Sequence, residues 1–321
     1  MKKILLFAVV ATMFAACSKD SATGTEINQP SSSVITYTTS DGNALNIQAE
    51  RFNAPIASHS YNNGKGEIQF NGLVTAIGEY AFYNCKTLTS ITLPAGITSM
   101  GDSAFYGCSA LTNFDIPEGV TVLAGNVLYN CSALTSITIP DRVATIAGYA
   151  FAACTNLKKV VIGKGVTTIG AWAFSNCKAL SSIELPVGVT SIGKHAFYKC
   201  LELKSVTILG PVASISDYAF SECYALTAIS LPDGVATIGS SAFNACFALT
   251  DITIPASVTK IDTGAYGACT KLHSIYCKPT TPPAMGGMVF WNSAPDAKIY
   301  VPRTSAAQWQ SYASKIEGYD F

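Results

Sequence analysis

Charge is what this chain has least of. Asp, Glu, Lys and Arg make up 12% of its 321 residues, against about 25% for an average soluble domain. The two signs cancel to a formal net charge of zero. Setting aside positions 1–16 removes Lys2 and Lys3 from the 20 basic groups, leaving 18 against 20 acidic ones, or −2. That balance argues against a nucleic-acid partner, whose phosphates need a basic patch. Histidine is scarce as well: His59, His195 and His273 are far apart in sequence and share no evident constellation with an activated Ser or Cys. HExxH, GxSxG and P-loop motifs are all missing, so the usual hydrolytic and phosphoryl-transfer chemistries have no signature. No CxxC pair occurs, and the nearest approach, Cys269 with Cys277, lacks zinc-ligand spacing.

Apolar residues supply 49% of the chain. A large core is expected, with Ser, Thr, Ala and Gly standing where charge would normally cover the surface. The N-terminus is read as a targeting segment. Lys2 and Lys3 precede ILLFAVVATMFAA, a run shorter than the roughly 20 residues of a membrane span, and Cys17 follows directly. The string FAAC-SKD resembles a bacterial lipoprotein signal, although Phe14 stands where Leu is usual. The resemblance implies cleavage after Ala16, lipidation of Cys17 and export as an outer-membrane lipoprotein facing outward. An ordinary cleaved secretory peptide is the plainer alternative. Residues 17–33 hold no apolar cluster and read as a flexible tether. No second stretch is long enough to cross a bilayer.

What the chain has in abundance is a period. Cys85, Cys108, Cys131, Cys154, Cys177, Cys200, Cys223, Cys246 and Cys269 recur at one constant interval, each position number 23 above the last. A fixed period of this size marks a solenoid. Leu comes three residues after every one of these cysteines, from Leu88 to Leu272. Apolar residues follow at six and eight, for example Ile137 and Ile139, which share one side of a strand. Pro then ends the strand in most coils. A second pair, such as Val143 and Ile146, reads as a short strand, and Ala-Phe reads as a helical turn placing Phe and Cys inward. The expected fold is an α/β repeat solenoid with coils of strand, turn, short strand and helical turn.

The pattern LTSITLP-x-x-V-x-x-I-G-x-x-AF-x-x-C resembles the BspA-like leucine-rich repeat of bacterial surface proteins. The resemblance covers about residues 66–278 and implies a curved, right-handed array with its LxxIxL strands on the concave side. Known members include adhesins. Departures are local: Val127-Leu128 and Ala265-Tyr266 replace Ala-Phe, Gly163 replaces Pro, and Leu209-Gly210-Pro211 shifts a turn. The expected division is a signal peptide at 1–16, the lipidated tether at 17–33, an N-terminal cap at 34–65, the solenoid at 66–278 and a C-terminal cap at 279–321. YNNGKGEIQF suggests a hairpin in the first cap. In the second, KIYVP suggests a strand and SAAQWQSYASKIEG a helix, with Ser305 and Gln308 as a capping box and Gly318 as its stop.

Two exposed surfaces are candidate sites. One is a ridge of rings on the helical-turn edge: Tyr80, Tyr149, Trp172, His195 and Tyr218 in one column, Tyr83, Tyr106, Tyr129 and Tyr198 in the next. Rings with a polar handle suit contact surfaces; packing that merely seals the coils is the plainer reading. The other is the concave strand face, where Asp115, Lys159, Glu184, Asp251 and Tyr276 punctuate Ser and Thr. Solvated β-formers explain most of it. Asp115 and Glu184 lie three coils apart, roughly 14 Å, too far for a carboxylate dyad. The ladder cysteines read as buried, reduced thiols. No catalytic residue, metal or cofactor is expected. The function anticipated is non-catalytic binding at the cell surface, either adhesion to a protein or host macromolecule or glycan capture for nutrient uptake, with the membrane met only through the lipid anchor.

Overall fold

A computed structural model describes residues 33–309 and 316–319. The signal peptide, Cys17 and the tether as far as residue 32 lie outside the described residues. Ser33, counted with the tether, is buried. Its N–H donates to the Gly72 carbonyl and its hydroxyl accepts from the Val74 N–H.

The chain winds as a parallel β-solenoid whose coils repeat about every 23 residues, so that Thr167 and Thr190 each donate a hydroxyl to the carbonyl one coil back. Ten short strands, from Ala76–Ile77 to Ala284–Met285, mark ten turns. Register holds along both strand columns: Thr145 pairs with Thr168 and Thr168 with Ser191, while Ser182 pairs with Ser205 and Ser205 with Ala228. The long strands alternate as two-sided strands must, with Ile137, Ile139, Ile183, Leu185, Val206, Ile208, Ile252 and Ile254 inward and their neighbours exposed. The buried apolar side chains of successive coils form one continuous core cluster.

The proline that ends each long strand also builds the next turn. Its carbonyl accepts the N–H three residues on, as from Val143 to Pro140 and from Val189 to Pro186. Gly163 supplies the same carbonyl to Val166, and at the shifted turn Val212 bonds to Gly210 instead. The departures therefore keep a turn bond by other means.

The expected helical turn is a correction, and with it the α/β class. The Ala-Phe corner is a string of separate turns. Ala150, Ala152 and Cys154 bond back three residues, but the intervening Tyr149, Phe151 and Ala153 donate to Ala171, Ala173 and Ser175 of the next coil. A helix keeps all such bonds within its own segment. Two left-handed residues per corner redirect alternate N–H groups along the stack, here Tyr149 at φ 59° and Ala153 at φ 61°. Glycine precedes the corner because the backbones nearly touch: a Cβ on Gly170 would lie 2.6 Å from the Gly148 nitrogen.

Both ends differ from the coils between them. Ile56–Asn62 and Lys65–Phe70 form an antiparallel hairpin around Asn63-Gly64, both with positive φ. Val34–Thr39 then joins Lys65–Phe70 to Leu88–Thr92, also antiparallel. A boundary at residue 66 thus cuts through a strand. At the far end, Ala284–Met285 and Lys298–Pro302 continue the two columns, each one position later than the period would put it. The expected final helix begins as an α-helical turn but is corrected at its end, where Ile316–Tyr319 is a strand; residues 310–315 lie outside the described residues. The described turn is Ala306–Trp309. Ser305 donates its hydroxyl to the Pro302 carbonyl. Gly318 pairs with Val301 in the strand Ile316–Tyr319, which satisfies the backbone edge a helix would leave open.

Candidate functional site: an aromatic corner

The nine ring residues expected on the corner form one unbroken chain of contacts. Tyr80 meets Tyr83 edge-on at 5.5 Å, and Tyr83, Tyr106 and Tyr129 stack at 5.0 and 4.6 Å. Tyr129 reaches across to Tyr149 at 6.5 Å. Tyr149, Trp172, His195 and Tyr218 then lie within 5° of parallel, with centroids 5.7, 3.8 and 4.6 Å apart. Tyr198 closes edge-on against both Trp172 and His195. Stacking along the coil axis covers ring faces, so each interior ring offers solvent its edge, the positive side of its quadrupole.

The backbone under the first ring column is the informative part. Every coil is left-handed at this position, from Tyr80 at φ 58° through Ser103, Asn126, Tyr149, Trp172, His195, Tyr218, Ser241 and Gly264 to Met288. That conformation costs a non-glycine residue about 1–2 kcal/mol, and an aromatic pair returns about 0.5–1.5 kcal/mol. Rings therefore gain the fold little that Gly or Asn would not.

Charges border the ridge. Glu222 accepts from the Tyr198 hydroxyl at 2.6 Å and the Tyr224 hydroxyl at 2.9 Å, with the Lys199 ammonium 3.7 Å away. Partial burial works against its ionisation, but these hydrogen bonds and the lysine outweigh it and hold the carboxyl below its usual range. Lys194 pairs with Asp217 at 2.9 Å, and that hydrogen bond lowers the aspartate. Burial among the rings lowers His195 despite the nearby Asp217, and its Nδ1 is buried without a partner.

Sequence reasoning missed four exposed residues on this edge. Tyr224 and Phe247 stack at 4.8 Å, one position beyond the cysteine column. Met288 and Trp291 are 72% and 58% exposed. They occupy the two ring columns of the last coil, where the one-position delay hides them from a count of 23.

On the strand face, Asp115, Lys159, Glu184 and Asp251 are exposed, each in a different coil, and Tyr276 is half-buried on Tyr300 at 4.9 Å. Asp115 and Glu118 share a shallow depression with Thr92 and Thr138. No cluster of metal-ligating side chains forms among the described residues. The histidines stay apart: His59 shares a hydrogen bond with Tyr37, and His273 faces Asp296 at 2.7 Å. Every described cysteine is a free thiol. From Cys108 to Cys269 each Sγ donates to the carbonyl of the Phe or Leu 26 residues earlier, as Cys177 does to Phe151 at 3.2 Å. Burial pushes Cys85 up to about 11 and Cys154, Cys269 and Cys277 up to about 12. None is a thiolate at neutral pH.

Comparisons with known proteins point the same way as the period. The BspA type leucine rich repeat region, six copies in the family model, matches residues 56–181, 144–273 and 190–313. Among solved structures, a leucine rich cell surface protein from Faecalibacterium prausnitzii is 25% identical, over 77% of this chain and 81% of that one, with a TM-score of 0.38. The T. pallidum leucine rich repeat protein is 29% identical over 55% and 72%, at 0.40. A leucine-rich repeat protein from Bacteroides ovatus is 22% identical over 83% and 91%, at 0.32. No curated protein matches.

Proposed function

The chain belongs to the BspA type leucine-rich repeat family, and from that premise we propose that it is a non-catalytic recognition protein that adheres to an extracellular protein through its aromatic corner. It is held at the cell surface by a lipid on Cys17. One observation carries the reading: Tyr, Trp and His occupy a left-handed column that rewards Gly or Asn. A surface that is no more stable for its rings has them for contact. Between Tyr83 and Tyr218 the rings turn edges outward, and edges with hydroxyls suit carbonyl-rich protein surfaces better than the flat faces a sugar stacks on. Among the described residues the ladder thiols bond to backbone carbonyls, His59 to Tyr37 and His273 to Asp296, so no thiol–histidine pair of the kind nucleophilic catalysis uses is formed. No helix among the described residues is long and apolar enough to cross a membrane.

The test uses Asn, which tolerates the left-handed backbone. The full chain and its Tyr80→Asn/Tyr149→Asn/Trp172→Asn variant are measured by biolayer interferometry against purified matrix and serum proteins. The expected result is at least about a tenfold loss of affinity, or ~1.4 kcal/mol, with the melting temperature kept. Equal binding by the variant removes the ridge from the mechanism. Protease shaving of intact cells separately tests surface display.

A further inference from the structure

The ring column does not run to the end of the corner, and the break has walls. Tyr218 carries His195 on one face at 4.6 Å. Its other face is turned to the next coil, where the same position holds Ser241, and one coil further Gly264. The second column has no ring after Tyr198, with Ser221 in the coil of Tyr218 and then Asn244 and Gly267. Tyr224 and Phe247 flank the gap beyond the cysteine column, but within these two columns rings resume only at Trp291, 58% exposed and without a stacked ring among the described residues. The coils here remain in step, with Ser241 donating to Thr263 and Gly264 to Gly287. The interruption is therefore a notch about two coil spacings long, roughly 10 Å. Its floor is the Ser241 hydroxyl, the Asn244 amide and two glycines, all uncharged.

We propose that this notch binds one or two residues of a neutral polysaccharide, a site separate from the protein-binding ridge though resting on the same view of the corner as a recognition surface. A pyranose has an apolar C–H face and a rim of hydroxyls. Tyr218 offers the open ring face missing from the stack's interior, and the floor offers neutral hydrogen-bonding groups without a charge to desolvate. The Asn244 amide already donates to the Gly267 carbonyl at 3.2 Å, so a flat side chain from a protein would satisfy the ring but leave the Ser241 hydroxyl without a partner. An acidic glycan would find no cation among the floor residues.

The experiment is calorimetry of the full chain with cellohexaose, xylohexaose, mannohexaose and maltohexaose, and with a heparin oligosaccharide as the acidic control. Binding is expected for at least one neutral oligosaccharide and not for heparin. Gly264→Trp should fill the notch, since rings already sit at this backbone angle in other coils, and Tyr218→Asn should remove its wall. Each should weaken binding at least about tenfold, while Val187→Ser, at an exposed turn away from the corner, leaves it unchanged. Melting curves establish that the variants fold. No neutral oligosaccharide bound at millimolar concentration, binding that survives Gly264→Trp, or binding of heparin alone would each overturn the proposal. Loss of protein capture in the Tyr80/Tyr149/Trp172 variant is read independently of all three.

Discussion

Two ring stacks run along this molecule, one inside and one outside, and they follow different rules. The inner stack repeats nearly one residue: Phe151, Phe174, Phe197, Phe220 and Phe243 lie parallel at 5.2–5.5 Å, all fully buried. Where Leu128 breaks it, Phe114 enters the core and meets Phe105 edge-on at 4.7 Å. The outer stack mixes Tyr, Trp, His, Ser, Asn and Gly on one backbone conformation. Inside, close packing penalises any change of volume. Outside, the backbone is satisfied whichever side chain is present, so residue choice is free to serve recognition.

The contrast can be broken most strongly with alkali. Eight buried ladder thiols have pKa values raised above their ordinary 9 by burial. In the unfolded chain they ionise first, so their contribution is complete below pH 9 and is lost as pH rises toward 12. Each thiol takes up to about 1.4 kcal/mol per pH unit. Denaturant midpoints should hold to about pH 8 and fall steeply beyond; a flat profile to pH 11 would show that the thiols are not buried.

Phe197→Ala should cost about 3–5 kcal/mol by leaving a cavity between Phe174 and Phe220, seen as a lower urea midpoint. Tyr266→Phe should act in the opposite direction. Its hydroxyl is buried in the inner stack with no hydrogen-bond partner, and removing it should raise stability by about 1–3 kcal/mol. An unchanged midpoint would mean that the hydroxyl is satisfied. Smallest of all, Tyr149→Asn should shift stability by less than about 1 kcal/mol, because relief of the left-handed backbone offsets the lost stacking. A loss as large as that of Phe197→Ala would reduce the outer ridge to packing and undercut its role in binding.

How much could be read in advance differs along the coil. The Leu, Ile and Cys columns were legible because inward-facing positions recur at every second residue of a strand and at a constant step from coil to coil. Cysteine's particular use was not. Cys177 is small and buried, as composition suggests, but its choice over Ala follows from a thiol that reaches the Phe151 carbonyl, a partner 26 residues away. Phe and Cys three apart fit a helical turn equally well by spacing, and only the bonds from alternate N–H groups to the next coil exclude a helix at the corner. The ring columns were visible, while Trp291 lay one residue out of step.

The sequence by itself determined the period, the inward faces and the family, because these depend on spacing and on which side chains avoid water. Only the tertiary structure decided the rest. Alternate N–H groups of the corner bond to the following coil, which forces left-handed residues there and lines up rings from separate coils into one chain. It also showed where that chain stops, at Tyr218, beyond which no further ring stacks. Contacts between coils set each of these, and no single coil contains both partners.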